Sequence, residues 1–302
     1  MAVEHAGIHA VRKPWGSADL LPWSGIVDAG FAIGELWFER AETRAPNPAL
    51  LLKLLFTNQP LSIQVHPDDA FARSLGLANG KTEAWYVLSA VPGARVAIGL
   101  KRALTAAQLR SAIESGSISQ LVQWKPVAEG DVISIPAGTI HAIGAGLVLA
   151  EIQQRSDSTF RLFDFGRPRE LHVDNAVAVA RAQPFECSST PKRLTDARTL
   201  LVANPHFVLE RIDLPPNSTW KLCAERETWL LVLDGRAKVG LINAFVGEAV
   251  FVEDDRARID VGSDGMKGLL AYLGPDPCPF LLQSCVGQSA ASVGAELQST
   301  LH

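Results

Sequence analysis

Paired thiols are absent from this chain. Its four cysteines, Cys187, Cys223, Cys278 and Cys285, are scattered with no C-x-x-C spacing, so they read as reduced core or surface thiols in a cytoplasmic protein. Long apolar runs are absent too. None approaches the length needed to span a membrane, and the opening stretch MAVEHAGIHAVRKPWG has no apolar core of the signal-peptide kind. The expectation is a cytoplasmic protein with no membrane partner. Excess positive charge is also missing. Lysine and arginine number 28 against 32 aspartate and glutamate, a net charge of -4, which leaves no electrostatic footprint for nucleic acid. A small anionic substrate stays open, because its site needs only a local cluster of cations. What is present is 47% hydrophobic and 20% charged residues, the balance of a soluble globular protein, long enough for about one or two domains.

Short β-like runs dominate. Residues 50–56, 61–66, 83–88, 95–100, 131–135, 147–153 and 160–165 read as strands, separated by turn chemistry such as Asn58-Gln59-Pro60, Ala78-Asn79-Gly80, Pro92-Gly93 and Pro136-Ala137-Gly138. Many short strands with Gly and Pro turns predict a sandwich or barrel. Two segments read as helices. Residues 106–115 follow Thr105 as N-cap and stop at Gly116, and residues 171–182 precede Pro184. The polar stretch 183–196 carries two prolines and is the expected linker. A second β-rich block has runs at 207–214, 228–233, 237–242, 249–253, 257–261 and 269–273. It could be a degenerate repeat. Its Gly247–Glu253 echoes the spacing of Gly130 to Pro136, but Glu253 replaces the proline and no histidine follows. This block is therefore expected to have no metal site and to serve packing or close a cleft.

The chemistry concentrates in the first block. GDVISIPAGTIH (130–141) is a short strand, a Pro-x-Gly turn and one histidine, His141; upstream stand Gln64-x-His66 and Glu83. Together they offer two imidazoles, a carboxylate and an amide oxygen, and this thiolate-free set suits Zn²⁺ or a similar divalent ion. In LSIQVH (61–66) strand alternation puts Ser62, Gln64 and His66 on one face and Leu61, Ile63 and Val65 on the other. That pattern fits a barrel whose lumen is the site. Taken singly, His66 before Pro67 also suits a loop histidine, and Glu83 a solvated strand-edge carboxylate. His5, His9, His172, His206 and His302 stand in no comparable context and read as structural or surface residues.

The pattern around His141 resembles the second motif of the cupin superfamily, with Ala145 where the usual asparagine stands. PLSIQVHPDD (60–69), GKTEAWYVL (80–88), IPAGTIHAIG (135–144) and EIQQRSDSTFRLFDFGR (151–167), in that order, are similar to the type I mannose-6-phosphate isomerases, in the short bacterial form. KPWG (13–16), LLLKLL (50–55) and RELHVDNAV (169–177) extend the likeness through about the first 180 residues, whereas the C-terminal block matches only in general character. The resemblance implies an all-β fold of tandem cupin (jelly-roll β-barrel) domains with a few short helices. The first would be a metal-binding catalytic unit over 1–182, the second a degenerate unit over 197–302. It implies one zinc per chain held by Gln64, His66, Glu83 and His141, with Arg161, Lys81 and Glu151 as catalytic residues. Ser62 and Arg167 would bind substrate.

The implied reaction interconverts mannose 6-phosphate and fructose 6-phosphate through a cis-enediol. The base that moves the proton between C1 and C2 is left open among Glu151, Lys81 and a metal-bound water. Lys81 would need a lowered pKa. Glu151 could instead be a buried carboxylate paired with Arg155 or Arg161, and Arg167 a surface arginine beside Arg169 and Glu170. Lys53, inside LLLKLLF, either snorkels outward or meets a buried acid. Trp15, Trp85 and Trp124 read as core or cleft-wall aromatics. Two other classes compete: another metal-dependent cupin enzyme such as an oxygenase, and a non-catalytic sugar-binding cupin.

Overall fold

The computed structural model describes residues 2–26, 30–42, 44–186 and 190–285. Cys187 and His302 lie outside the described residues, as do parts of each expected unit.

Alternation along the strands decides how the layers stack. In Leu50–Thr57 every residue is buried, because its two faces are covered by different partners. Leu50, Leu52, Leu54 and Phe56 face one apolar cluster, while Leu55 joins another and Lys53 shares its face. A strand covered on both sides reads as an uninterrupted apolar run, and LLLKLLF is such a run. The strand sits inside an antiparallel six-stranded sheet, in the order Gly7–Ser17, Ile33–Glu39, Leu50–Thr57, Leu147–Gln154, Glu83–Ala90 and Val132–Ile135. A five-stranded sheet runs Phe160–Phe163, Ile63–Val65, His141–Ile143, Arg95–Leu100 and Val122–Pro126. The two pack face to face through Trp15, Leu55, Trp85, Val87, Ile98, Ile143 and Leu149, making the first barrel.

The outer face of the five-stranded sheet carries Ile63, Val65, Ala142, Phe160 and Leu162, covered by the helices Ala106–Glu114, Ile118–Leu121 and Val173–Val179. The first of these opens on the expected N-cap: Thr105 and Gln108 close a reciprocal capping box. A short helix, Asp69–Ser74, was not expected. It is capped by Asp68, whose side chain accepts the N–H of Phe71 at 2.8 Å.

A ten-stranded sheet forms the second barrel, chiefly from Phe207–Leu214, Thr228–Val239, Ala249–Glu253 and Asp255–Leu273. The runs expected at 257–261 and 269–273 are parts of that one long strand. One face of this sheet packs on the outer face of the six-stranded sheet through Phe207, Leu209, Trp229, Phe251 and Leu269; the other lines its own core. The barrels are also stitched by polar contacts. Ala2–His5 pairs with Ala249–Glu253, so the start of the chain hydrogen-bonds into the second sheet. Arg40 bridges Glu4 at 2.5 Å and Glu253 at 3.3 Å. The buried Glu227 carboxylate accepts the N–H groups of Ala49 and Leu50 at 2.6 and 2.9 Å. Within the expected linker, Lys192 and Arg193 pair with Leu200 and Thr199.

The second barrel holds an ion pair. Arg198 grips both oxygens of Glu210 at 2.8 Å and donates to the carbonyls of Cys278 and Pro279 at 2.8 and 3.1 Å. The Tyr272 hydroxyl donates to the same carboxylate; burial, and then the Glu210 charge, push its pKa well above the usual phenol value despite the nearby Arg198. All three side chains are buried. Replacing Arg198 with alanine would strand the Glu210 charge inside the barrel. The expected cost is about 3–5 kcal/mol, read as a lowered midpoint in denaturant unfolding. A midpoint equal to that of the wild type would show that the pair carries no stability. Among the described residues no helix is long and apolar enough to cross a membrane.

Candidate metal centre and active site

Cross-strand register brings the site residues together. In the five-stranded sheet Gln64 lies opposite His141 on one side and Arg161 on the other, and paired residues share a face. Ile63, Val65 and Phe160, Leu162 occupy the helix-covered face, so Gln64, His141 and Arg161 line the lumen. Across the lumen the six-stranded sheet places Glu83 opposite Gln153, and Trp85 and Lys53 on either side of Glu151. Loops tie the segments in place. The Lys81 N–H donates to the Pro67 carbonyl at 2.9 Å and the Gly138 N–H to that of His66 at 2.9 Å. Gly80 lies so close to the Asp68 backbone that no Cβ would fit, which accounts for the glycine in GKTE.

At the centre three acceptors face one another. The Nδ1–H of His66 donates to the Ser158 carbonyl at 2.8 Å, and that of His141 to the Thr139 carbonyl at 2.9 Å. This choice of tautomer leaves each Nε2 with its lone pair turned inward. The His66 and His141 Nε2 atoms lie 3.4 and 3.3 Å from the two oxygens of Glu83. His66 Nε2 and both Glu83 oxygens have no hydrogen-bond partner among the described residues. Protonating the imidazoles does not resolve this. Burial, reinforced by the Lys81 charge, drives the His66 pKa down to about 3, and burial lowers that of His141. Burial opposes the charge on Glu83, yet Lys81 and the imidazoles hold its carboxyl well below the usual range. Two neutral imidazoles and a carboxylate within 4.8 Å of one another make a donor set that a divalent cation satisfies. Neither the loop histidine nor the solvated carboxylate fits, since His66 and Glu83 are fully buried. Among the described residues this is the one such grouping.

Gln64 borders the cluster. Its Nε2 lies 3.2 Å from His141 Nε2, and its Oε1 accepts the Ser62 hydroxyl at 3.2 Å. Half a turn of the carboxamide would exchange these two atoms. Oε1 would then face the cluster and the NH₂ would face Ser62.

The surrounding charges alternate. Lys81 lies 3.4 Å from Glu83. Burial works against its charge, but Glu83, Glu151 and Glu35 together raise its pKa above the usual lysine value. The lowered pKa that a basic Lys81 needs is not found here; its neighbouring carboxylates keep it an ammonium. Glu151 pairs with neither Arg155 nor Arg161. It accepts the Trp85 indole N–H at 3.0 Å and faces Lys53 at 3.3 Å, while Arg155 donates to the carbonyls of Pro48 and Leu50. Burial, and then the Glu83 charge, raise the Glu151 pKa. Lys53 meets a second acid, Glu35, at 3.8 Å, which Lys13 of KPWG also contacts at 3.2 Å. Glu35 was not anticipated. Its strand carries Gly34 and no motif, and only the lateral pairing of Trp37 with Lys53 brings it to the site. Trp15 and Trp85 are core aromatics; Trp124 is half-buried. Arg167 is half-buried, held by Asp164 and the Pro60 carbonyl.

Two packed antiparallel sheets with a lumenal His/Glu/His cluster, backed by a second barrel, define a protein of tandem cupin architecture. A scan against protein-family models finds no match. The mannose-6-phosphate isomerase of Streptococcus mutans serotype c is 38% identical over 194 residues, 60% of this chain and 60% of that protein. Mannose-6-phosphate isomerase ManA of Bacillus subtilis is 36% identical over 177 residues, 55% of this chain and 54% of ManA. The matched stretch thus spans little more than half of these curated relatives. The crystal structure of mannose 6-phosphate isomerase from Bacillus subtilis superposes with a TM-score of 0.77 at 22% identity, over 90% of this chain and 100% of that one. A variant of phosphomannose isomerase from Salmonella typhimurium gives 0.71 at 16%, over 91% and 100%. The chain shares their fold.

Proposed function

We propose that this protein is a zinc-dependent aldose–ketose isomerase that interconverts mannose 6-phosphate and fructose 6-phosphate through a cis-enediol. The observation that carries this reading is the cluster of inward acceptors on His66, Glu83 and His141. Gln64 stands at its edge, and Glu151 and Arg161 share the same lumen. The named relatives support the substrate. On this reading the unit 1–182 holds the chemistry, 183–196 links, and 197–302 backs the first barrel without a metal of its own.

Gln64, His66, Glu83 and His141 would hold one zinc per chain. When bound, the ion supplies a Lewis acid beside the oxygens on which charge develops. The protein's own residues do the rest. Glu151, its pKa raised by burial and then by the Glu83 charge, carries the proton between C1 and C2, and Trp85 and Lys53 hold its carboxylate in place. Lys81, kept as an ammonium, donates hydrogen bonds and does not abstract the proton. Arg161 adds a cationic contact to the developing negative charge. Ser62 and Arg167 face the substrate from the strand edge and the turn that follow.

A coupled assay that detects fructose 6-phosphate formed from mannose 6-phosphate tests the reading. Arg161→Ala should keep its metal and lose at least about 10²-fold in turnover. Loss of the metal as well would make Arg161 structural. Iron content with oxygen uptake would support the oxygenase, and binding without turnover a sugar-binding cupin.

A further inference from the structure

The two barrels separate at one end of their interface. Along the strand Phe207–Leu214 one face carries Phe207, Leu209, Arg211 and Asp213. The first two seal the contact with the outer face of the six-stranded sheet; the last two are charged. The neighbouring strand changes in step, because Lys267 lies opposite Asp213 in the register. Charged side chains do not close against an apolar sheet face, and the sheets splay here into a cleft of about 800 Å³. Its far wall is the outward face of Glu83–Ala90, with Tyr86 and Leu88, and Val148 beside them. A third wall is the turn at residues 20–23. Leu20 is buried in the core between the barrels, and the Trp23 N–H donates to its carbonyl at 3.0 Å. Gly247 lies so close to the Trp23 backbone that no Cβ would fit. Trp23 is thereby fixed at the edge of the cleft, which it lines.

The charges in the walls are matched. Arg211 donates from Nε to Asp213 Oδ2 at 3.0 Å and stands against the Tyr86 hydroxyl of the opposite sheet. Lys267 Nζ lies 3.5 Å from Asp234. Glu129, exposed at the mouth, adds a negative charge. The cleft therefore does not recruit an anion, and Glu129 opposes one. Ion pairs of this kind still offer fixed N–H donors and free carboxylate oxygens, the partners that hydroxyl groups need. Trp23, Tyr86, Leu88 and Leu233 supply apolar surface between those polar groups, suited to the C–H face of a sugar ring. Leu21, next to Trp23, is 71% exposed. A cleft between two domains, within the range of roughly 300–1,000 Å³ and lined by apolar side chains with a few placed polar groups, has the build of a small-molecule site.

We propose that the cleft between the barrels binds a free, uncharged mono- or disaccharide, with Trp23 and Tyr86 against its ring faces and Arg211 and Asp213 on its hydroxyls. The site is separate from the metal centre. Trp85 and Tyr86 are neighbours on one strand, but Trp85 turns into the lumen and donates to Glu151 at 3.0 Å, while Tyr86 turns outward to the cleft. The six-stranded sheet thus carries one pocket on each face. Binding in the cleft does not depend on the isomerase reading, since no metal and no turnover are needed for it.

Calorimetric titration of the zinc-loaded protein with methyl α-mannoside, whose locked ring cannot isomerise, and with maltose tests the site. At least one of the two should bind at one equivalent per chain with a Kd of about 1 mM or tighter. Trp23→Ala and Arg211→Ala should each raise that Kd by about tenfold or more, whereas His141→Ala, which alters only the lumen, should leave it within about twofold. Leu233→Trp fills the cleft and removes no polar contact. It should weaken binding as much as Trp23→Ala does, and it carries the comparison where Trp23→Ala does not fold. Failure of both sugars to bind the wild type at about 10 mM would overturn the site. So would a Kd unchanged in Leu233→Trp. Binding lost in His141→Ala would place the sugar in the lumen and overturn it as well.

Discussion

His141→Ala is expected to leave the protein without bound divalent metal and to reduce turnover of mannose 6-phosphate by more than about 10³-fold, the scale of a lost contact to developing negative charge. His141 is fully buried, its Nδ1–H is committed to the Thr139 carbonyl, and its Nε2 faces Glu83 at 3.3 Å. Alanine supplies no donor atom and leaves a cavity beside the carboxylate. Glu83 would then find its hydrogen-bonding demand shared between Lys81 at 3.4 Å and water entering the cavity. Elemental analysis of the purified variant, alongside the coupled assay, checks this. Metal retained at one equivalent per chain would remove His141 from the ligand set.

Glu151→Gln should act on a different step. Expected are metal content and KM close to wild type and a kcat lower by about 10²–10⁴, the usual weight of a positioned general base. Glutamine keeps the shape and an oxygen able to accept from Trp85, so the contact at 3.0 Å can persist while the basic oxygen facing Lys53 is lost. The pH profile supplies the sign. Burial, and then the Glu83 charge, raise the Glu151 pKa. A base works only when deprotonated, so wild-type kcat should rise with pH through that raised pKa. In the glutamine variant this acid limb should disappear. A variant with kcat within about threefold of wild type and an intact acid limb would transfer the role to another group.

What the residues revealed in advance, and what they did not, follows from how far apart the interacting partners lie. The strand Leu50–Thr57 was legible because burial on both faces writes itself as continuous leucine. The helix after Thr105 was legible because its cap is local. Gly7–Ser17 and Ile33–Glu39 were not. Pro14, Gly16 and Gly34 interrupt them, and their register shifts at two places. The pairing of Ala2–His5 with Ala249–Glu253 joins opposite ends of the chain, and no local pattern encodes it.

The site divides in the same way. Gln64, His66, Glu83 and His141 stood in compact motifs, and strand alternation already put Gln64 and His66 on one face. The partners of Glu151 did not. Arg155 and Arg161 are near it in sequence, but the lateral neighbours across the sheet are Lys53 and Trp85, and the register decides. Lys53 was recognisable as a misfit inside an apolar run, while its acids came from two other strands. The lowered pKa that a basic Lys81 would need was not testable from local sequence for a related reason: the carboxylates of Glu83, Glu151, Glu35 and Asp157 converge on it and outweigh burial.

The account turns on one cation held by Gln64, His66, Glu83 and His141 in the service of isomerisation. The measurement that bears on it most directly is a zinc titration of chelator-treated protein, following fructose 6-phosphate formation and bound zinc together. The account predicts no turnover without metal, and activity rising in proportion to bound zinc until one equivalent per chain. Full turnover in metal-free protein, or zinc bound with no gain in activity, would contradict it.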